Sequence, residues 1–263
     1  MNTIMNHDEL FGGLVRLARQ AGEAILRIYE TGFGVEIKSD GSPLTMADSA
    51  SHHILLSGLP SLTPDVPIIS EETVSGDIDY EQRKEWQRFW LVDPLDGTKE
   101  FIKRNGEFTV NIALVENGYP VAGLIYVPVR DLYYFGCSGY GAWKMKGVEG
   151  RPEKISVRKM NPDEQLTVVK SRSHPSAELD DFLRTIRVGS EVSAGSALKF
   201  CLVAEGVADL YPRFGPTMEW DTAAGQAIVE AAGGSVCDPQ GNRFRYNKES
   251  LRNGYFIVRG WGA

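Results

Sequence analysis

The chain has 263 residues, of which 42% are apolar and 24% are charged, a balance typical of an ordinary globular protein. Its formal net charge of −7 argues against general binding to nucleic acid or to anionic membrane, because Lys and Arg are not in excess. This charge does not exclude a small phosphate ligand, since bound cations can reverse the local field. The three cysteines show no C-x-x-C spacing and are predicted to be free thiols, and no stretch predicts a signal peptide or a membrane span.

The first half of the chain predicts helices packed on an antiparallel sheet. Apolar residues over 8–28 recur at steps of three and four, which predicts an amphipathic helix that stops near Gly32. A second helix is predicted from Thr45 to near Pro60, then a short strand over 66–70 and a solvated helix or loop over 78–88. The apolar segment 89–92 predicts a strand buried on both faces. Strands over 109–115 and 121–127 flank Asn117-Gly118, a strong hairpin signal, and strands over 132–135 and 142–145 extend the meander.

The second half alternates between strand and helix patterns. The stretch 147–163, rich in Gly, Pro and charge, is the predicted boundary between two subdomains, placed at 1–158 and 159–263. Beyond it, strands are predicted over 166–169, 188–192, 208–211 and 251–259, and helices over 177–186, 196–204 and 222–232. Such alternation predicts an α/β layer.

The segment Asp-Pro-Leu-Asp-Gly-Thr over 93–98 is the sharpest chemical feature of the sequence. The carboxylates of Asp93 and Asp96 are three residues apart and can point at one locus, and the Leu95 carbonyl between them is a further oxygen. Carboxylate and carbonyl oxygens suit Mg²⁺. The N–H groups of Gly97 and Thr98, at a predicted helix start, could hold an anion. The alternative is a type I turn in which an Asp accepts local hydrogen bonds.

Further acidic residues lie at the ends of other predicted elements. Glu71 follows the strand over 66–70, Asp221 opens a helix of small residues, and Asp48 follows Thr45 at the interval of a capping box. Helix caps are the alternative interpretation of Asp48 and Asp221. Because functional sites are built at element ends, the joint placement of these acids favours one shared site.

These residues resemble the signature motifs of the inositol monophosphatase superfamily, namely Glu71, the segment over 93–98 and Trp220-Asp221. The resemblance covers nearly the whole chain. The stretch over 96–113 is similar to the CysQ-type 3′(2′),5′-bisphosphate nucleotidase branch. The resemblance implies an α/β (α+β) fold, an alternating α-β-α-β-α layered sandwich of the inositol monophosphatase and sugar phosphatase type.

The resemblance also implies roles for individual residues. Two or three Mg²⁺ ions per site would have as ligands Glu71, Asp93, Leu95 through its carbonyl, Asp96 and Asp221. Asp48 and Thr98 match the pair that activates the attacking water, and Glu72 matches a position close to that water. The subdomain over 1–158 would then carry most of the ligands, and that over 159–263 the last ligand and the substrate-binding segment.

Substrate choice is expected to depend on residues outside the acidic motifs. The segment Gly-Ser-Ala-Leu-Lys over 195–199 resembles the nucleotide-contacting segment of the branch, and Lys199 and Arg213 are candidates for the 5′-phosphate or the ribose. The alternatives are a solvated helix lysine and an exposed loop arginine. The predicted substrate contacts are Glu71, Leu95, Asp96, Gly97, Thr98, Gly195, Ser196, Lys199, Arg213 and Asp221.

The resemblance thus implies Mg²⁺-dependent hydrolysis of adenosine 3′,5′-bisphosphate to AMP and phosphate. It further implies activity on 3′-phosphoadenylyl sulfate, a link to sulfate assimilation and inhibition by Li⁺. One alternative is the same chemistry on an inositol or sugar phosphate, and another is a metal-dependent nucleotide-binding protein without turnover. We expect a cytoplasmic protein, with loose association at the inner face of the membrane left open, and either a monomer or a homodimer.

Overall fold

The computed structural model describes residues 6–31, 35–37, 43–73, 79–159, 164–172 and 176–262. The helices are α1 His7–Glu30, α2 Met46–Leu62, α3 Tyr80–Arg83, α4 Thr98–Ile102, α5 Ala177–Leu183, α6 Leu198–Ala204 and α7 Glu219–Ala231. The strands are β1 Val35–Ile37, β2 Pro43–Thr45, β3 Ile68–Ser70, β4 Arg88–Asp96, β5 Thr109–Glu116, β6 Tyr119–Val127, β7 Leu132–Cys137, β8 Gly141–Lys146, β9 Glu153–Ile155, β10 Leu166–Ser171, β11 Val188–Ala194, β12 Leu210–Arg213, β13 Ser235–Cys237 and β14 Phe256–Arg259.

Most of these strands belong to two large sheets. The seven-stranded sheet has the order β3-β4-β5-β6-β7-β8-β9 and is antiparallel except for the parallel pair β3 and β4. The five-stranded sheet has the order β11-β10-β12-β14-β13, with β10 parallel to both β11 and β12. A two-stranded ribbon of β1 and β2 precedes them.

Alternating side chains of β4 explain how the layers stack. Phe89 and Leu91 face a core shared with α6 and α7, whereas Trp90 and Val92 face a second core shared with α1 and α2. A third, smaller core lies on the outer face of the five-stranded sheet, where Phe182 of α5 packs. The order is therefore helices, sheet, helices, sheet, helix, which confirms the predicted α/β sandwich and the double-sided burial of the strand over 89–92.

Several elements differ from their predicted bounds. Helix α2 continues through Pro60 to Leu62, because a proline in the last turn removes only one backbone hydrogen bond and the buried Leu59 anchors that turn. The predicted boundary stretch contains β9, which pairs with β8 at the sheet edge, so part of its charge belongs to an edge strand. The final strand begins only at Phe256, and β13 is too short to give a periodic signal.

In the sequence, the strands of the seven-stranded sheet all precede residue 156, and those of the five-stranded sheet all follow residue 165. Helix α7, which belongs to the second half of the chain, nevertheless packs on the seven-stranded sheet. The division into two subdomains at residue 158 stays a prediction. In the described part of the chain, no helix is long and apolar enough to cross a membrane. Cys137, Cys201 and Cys237 are buried free thiols, as predicted.

Candidate active site

A bulge in β4 brings two carboxylates to the same side of the sheet. Asp93 pairs with Asn111 of β5 and Asp96 with Thr109, so three steps along β4 match two steps along β5. The extra residue shifts the alternation by one, and side chains three apart face the same way. Ser51 of α2 donates to the Pro94 carbonyl at 2.7 Å and holds the bulge from the opposite layer.

Glu71 reaches the same place from the neighbouring strand. Strand β3 runs parallel to β4 with Ser70 beside Val92, so Glu71, the residue after β3, comes next to Asp93, where the pairing of the two strands ends. Parallel pairing therefore explains why carboxylates distant in the sequence meet at one sheet edge.

Asp221 approaches from the helix layer between the sheets. It is the third residue of α7, where its Oδ2 accepts the Met218 N–H at 2.8 Å in a capping-box arrangement. The capping role considered for Asp221 is thus present, and the same residue also lines the cleft with the other acids. One carboxylate oxygen caps the helix while the side chain stays part of the site.

These elements enclose a cleft of about 280 Å³. Its acidic lining consists of Glu71, Asp93, Asp96, Glu100 and Asp221. Burial, followed by the negative charges of Glu71, Asp96 and Asp221, raises the pKa of Asp93 well above its ordinary value. Burial and the charge of Asp96 do the same for the pKa of Asp221. The carboxylates thus share one field, and ionising all of them requires compensating positive charge.

The acidic side chains line the cleft at some distance from one another. Among the described residues, no three Asp, Glu, His or Cys side chains already stand close enough together to hold one metal ion. They are nevertheless not scattered, because Glu71, Asp93, Asp96 and Asp221 all line the same cavity. Among the described residues that line the cavity, the acids supply carboxylate oxygens, and none of these residues is Cys or His. Oxygen ligands of this kind fit Mg²⁺ and do not favour softer metal ions.

One oxygen of Asp96 is held by Ser196, a predicted substrate contact, and by two residues of β5 that sequence reasoning missed. Its Oδ2 accepts from Ser196 Oγ at 2.7 Å, from Asn111 Nδ2 at 3.2 Å and from Thr109 Oγ1 at 3.4 Å. Thr109 and Ser196 are themselves 2.6 Å apart, hydroxyl to hydroxyl. The signal in the sequence that could have revealed Thr109 and Asn111 is that two polar residues stand two positions apart in the buried strand β5. With Oδ2 engaged in this way, Oδ1 is the oxygen left for a ligand.

The predicted water-activating pair is in contact. Thr98 Oγ1 donates to Asp48 Oδ1 at 3.4 Å, while the other oxygen of Asp48 accepts from the N–H and the hydroxyl of Thr45 at 2.8 and 2.6 Å. The capping role considered as the alternative for Asp48 is therefore present at α2, and Asp48 also faces Thr98. Gly97 precedes Thr98 with φ of +92°, a conformation that glycine adopts without strain and that starts α4 inside the cleft.

Glu72 and Leu95 occupy different positions relative to the cleft. Leu95 lines it and donates its N–H to Asp93 Oδ1 at 3.1 Å, which fixes the local turn. Glu72 lies half-buried in the turn Glu71–Thr73 and is not among the described residues that line the cleft. Its place near the attacking water stays a prediction.

Two buried cations line the other side of the cleft. Lys199 is 6% exposed and Arg213 7% exposed, so neither is a solvated surface charge. Burial lowers the pKa of Lys199 to about 8, although the charge of Asp96 opposes the change. Lys199 donates to the Ser196 carbonyl and stands 5.4 Å from the centre of the Tyr211 ring.

Arg213 is the cation with an unused donor. Its Nη2 donates to the Pro216 carbonyl at 3.1 Å, while its Nε is buried and has no hydrogen-bond partner among the described residues. Arg213 ends β12 and is not part of an exposed loop, which corrects that alternative. A buried guanidinium with an unpaired N–H, beside a second cation, is a receptive position for an anion. Gly195 and Ser196 also line this part of the cleft.

Comparison with known proteins identifies the family of this fold. The model of the inositol monophosphatase family matches residues 6–256. The 3′(2′),5′-bisphosphate nucleotidase CysQ of Escherichia coli (strain K12) is 51% identical over 246 residues, or 92% of this chain and 96% of that protein. The enzyme of the same name from Salmonella typhimurium (strain LT2) is 52% identical with the same coverage.

Solved structures agree with the sequence comparison. The crystal structure of CysQ from Bacteroides thetaiotaomicron, a bacterial member of the inositol monophosphatase family, has a TM-score of 0.84 and 43% identity, covering 98% of both chains. The extragenic suppressor protein suhB from Bartonella henselae has a TM-score of 0.77 and 26% identity, covering 95% of this chain and 93% of that one. These likenesses confirm the resemblance to the CysQ-type branch that the sequence suggested, and the chain belongs to the inositol monophosphatase family.

Proposed function

We propose that this chain hydrolyses the 3′-phosphate of adenosine 3′,5′-bisphosphate, giving AMP and phosphate. The observation that carries the proposal is that opposite charges line one cleft: five carboxylates, four of them predicted metal ligands, lie there together with the buried cations Lys199 and Arg213. A substrate with two phosphates matches this division, one at the acids through metal ions and one at the cations. The relatives named 3′(2′),5′-bisphosphate nucleotidase support the same substrate.

The acidic side of the cleft would hold Mg²⁺, in the family's manner two or three ions. Its ligands would be Glu71, Asp93, Asp96, Asp221 and the Leu95 carbonyl. When bound, magnesium supplies positive charge that neutralises phosphoryl oxygens and makes a water more acidic. The fit rests on the oxygen-only donor set and on the raised pKa values of Asp93 and Asp221, which mark a shortage of positive charge.

Thr98 and Asp48 would handle the proton of the attacking water. The Thr98 hydroxyl donates to Asp48, so its oxygen lone pairs are directed away from Asp48 and can accept a proton from water. Asp48 in turn is fixed by two bonds from Thr45, which keeps Thr98 in one orientation. Attack on phosphorus breaks the bond to the 3′-oxygen of the ribose, and that oxygen takes a proton as AMP forms. Glu72 would act close to this water.

The remaining contacts would orient the nucleotide. The N–H groups of Gly97 and Thr98 would hold the 3′-phosphate, and the unpaired Nε of Arg213 together with Lys199 would bind the 5′-phosphate. The Gly195-Ser196 turn would border the ribose. The same contacts would accept 3′-phosphoadenylyl sulfate, whose 5′ group is also anionic, which gives the protein a place in sulfate assimilation in the cytoplasm.

Phosphate release by the purified protein with Mg²⁺ tests the assignment. Adenosine 3′,5′-bisphosphate should give a higher kcat/KM than inositol 1-phosphate or fructose 1,6-bisphosphate. Equal rates on all three would reject the nucleotide and leave an inositol or sugar phosphatase. The Arg213→Met variant should lose the preference for the bisphosphate while keeping the basal rate on inositol 1-phosphate. Binding of the nucleotide without any phosphate release would instead support the non-catalytic alternative.

A further inference from the structure

Glu107 lies just outside the cleft, in the segment between α4 and β5, and its side chain is 12% exposed. Its Oε2 accepts from the Gly195 N–H at 2.8 Å and from Arg172 Nε at 3.0 Å, and its Oε1 accepts from Arg172 Nη2 at 3.0 Å. Arg172 Nη2 also donates to the Ser193 carbonyl at 3.0 Å, and Arg130 stands 3.7 Å from Oε1. A two-pronged ion pair with an added N–H donor fixes a carboxylate in direction as well as in position.

The Gly195-Ser196 turn is pressed onto the segment that carries Glu107. A Cβ placed on Gly195 would lie 2.8 Å from Glu100 Cγ and 3.1 Å from Glu107 Cβ, so the two backbones approach closely. The next residue, Ser196, has φ of +52°, in the left-handed region that a non-glycine residue rarely adopts. Such a conformation persists only where the surroundings hold it, and the bond from Gly195 to Glu107 is such a restraint.

The held residue is the one that orients Asp96. Ser196 Oγ is 2.7 Å from Asp96 Oδ2 and 3.0 Å from the Asp96 carbonyl oxygen. A continuous path of contacts therefore runs from Arg172 through Glu107, Gly195 and Ser196 to Asp96. It connects the end of β10 in the five-stranded sheet with the bulge of β4 in the other sheet.

We propose that Glu107 is a positioning residue of the reaction. By fixing Gly195 it sets Ser196 against Oδ2 of Asp96, so that Oδ1 is presented for a metal ion. The inference rests on the proposed role of Asp96 as a metal ligand. Glu107 lines no part of the described cleft and acts only through Ser196.

A double-mutant cycle in metal affinity tests the path. Mn²⁺ binding to the metal-free protein is measured by titration calorimetry for the parent, Glu107→Ala, Ser196→Ala and the double variant. Each single variant should bind Mn²⁺ roughly 10–100-fold more weakly, as is usual when the support of a metal ligand is removed. The double variant should be no weaker than the weaker single variant, because both changes break the same path. Losses that multiply in the double variant would overturn the proposal, as would unchanged affinity in Glu107→Ala.

Two matched variants separate positioning from general damage. Glu107→Gln keeps an acceptor for the Gly195 N–H and should recover most of the Mn²⁺ affinity that Glu107→Ala loses. Glu205 is 11% exposed and is paired with Lys144 away from the cleft, so Glu205→Ala should lower the melting temperature and leave Mn²⁺ affinity unchanged. A loss of affinity in Glu205→Ala as large as that in Glu107→Ala would reject a specific role.

Asp96→Asn tests the ligand role of Asp96 separately from the positioning role of Glu107. If Asp96→Asn binds Mn²⁺ as tightly as the parent, the proposed ligand role of Asp96 is wrong. If Asp96→Asn loses affinity while Glu107→Ala does not, only the positioning role of Glu107 is wrong.

Discussion

Replacing Asp93 with asparagine separates the charge of this side chain from its place in the fold. Asparagine has nearly the same shape, and its oxygen can still accept the Leu95 N–H bond of 3.1 Å. Asp93 is 1% exposed, and burial together with neighbouring carboxylates raises its pKa. An unfolded Asp ionises near pH ~3.9 and the folded one at higher pH, so its contribution to stability is greatest below the unfolded pKa and is lost as pH rises through the folded pKa.

The size of the effect follows from this linkage. Each unit by which folding raises a carboxyl pKa costs about 1.4 kcal/mol above both pKa values. In a chain of this length, 1 kcal/mol changes the melting temperature by roughly 2–4 °C. Metal-free Asp93→Asn should therefore melt above the parent at pH 8, and the difference should shrink toward pH 5. Mg²⁺ at about 100 times its Kd should stabilise the parent by about 2.7 kcal/mol, or roughly 5–10 °C, and should stabilise the variant less.

Thermal melting of the parent and of Asp93→Asn at several pH values, with a chelator or with Mg²⁺, measures the cost of ionising Asp93 and the stabilisation by the metal. Asp209→Asn is the matched control, because Asp209 is also 1% exposed but accepts two bonds from Arg158 at 2.8 Å and one from the Thr167 N–H at 2.7 Å. That variant should melt below the parent and keep the full response to Mg²⁺. The reasoning is refuted if metal-free Asp93→Asn melts below the parent, or if Mg²⁺ stabilises it as much as the parent.

Asp96→Asn should lose at least a hundredfold in kcat while its metal-free melting temperature changes little, because Ser196 and Asn111 can still donate to the asparagine oxygen. A large drop in melting temperature would make Asp96 structural. Thr98→Val should lower kcat roughly 10²–10⁴-fold with little change in KM, and a Thr98→Ser variant that keeps the hydroxyl should retain most of the rate; equal losses in both variants would contradict the proton-transfer role. Since burial lowers the pKa of Lys199 to about 8, kcat/KM for the bisphosphate should fall as pH rises past about 8, and Lys199→Arg should move that fall to higher pH. An unchanged pH profile in Lys199→Arg would exclude Lys199 as the titrating group.

The sequence identified the acids because each lies at a point where a recognisable element ends. The strand over 89–92 runs directly into Asp93, and the parallel neighbour β3 runs directly into Glu71. The bulge that turns Asp96 to the same side as Asp93 has no local hydrophobic signal, since β4 is buried on both faces. Asp93 and Asp96 therefore converge because of the register of β4 against β5, which cannot be inferred from the motif alone.

The contacts that hold Asp96 escaped prediction for a different reason. Thr109 occurs in a buried strand, where a single Thr is unremarkable, and its partner Ser196 is 87 residues away in the sequence. Glu107 likewise resembles an ordinary charge between two elements until Gly195 is placed against it. Arg213 follows a proline, which is uncommon inside a strand, whereas β12 continues through Pro212, which pairs with Ile257. Long-range contacts decide all of these cases.

The bulge in β4 makes the direction of the Asp96 side chain depend on the backbone register between Asp93 and Asp96 more than on the composition of this segment. Without the bulge at Pro94 and Leu95, and with the segment at its present length, strict alternation against β5 would turn Asp96 into the apolar core beneath α1 and α2. Substitutions at these two positions can be absorbed as long as the backbone keeps its course. A change of register that removes the bulge should therefore eliminate metal binding even though every acidic residue of the motif remains in the polypeptide.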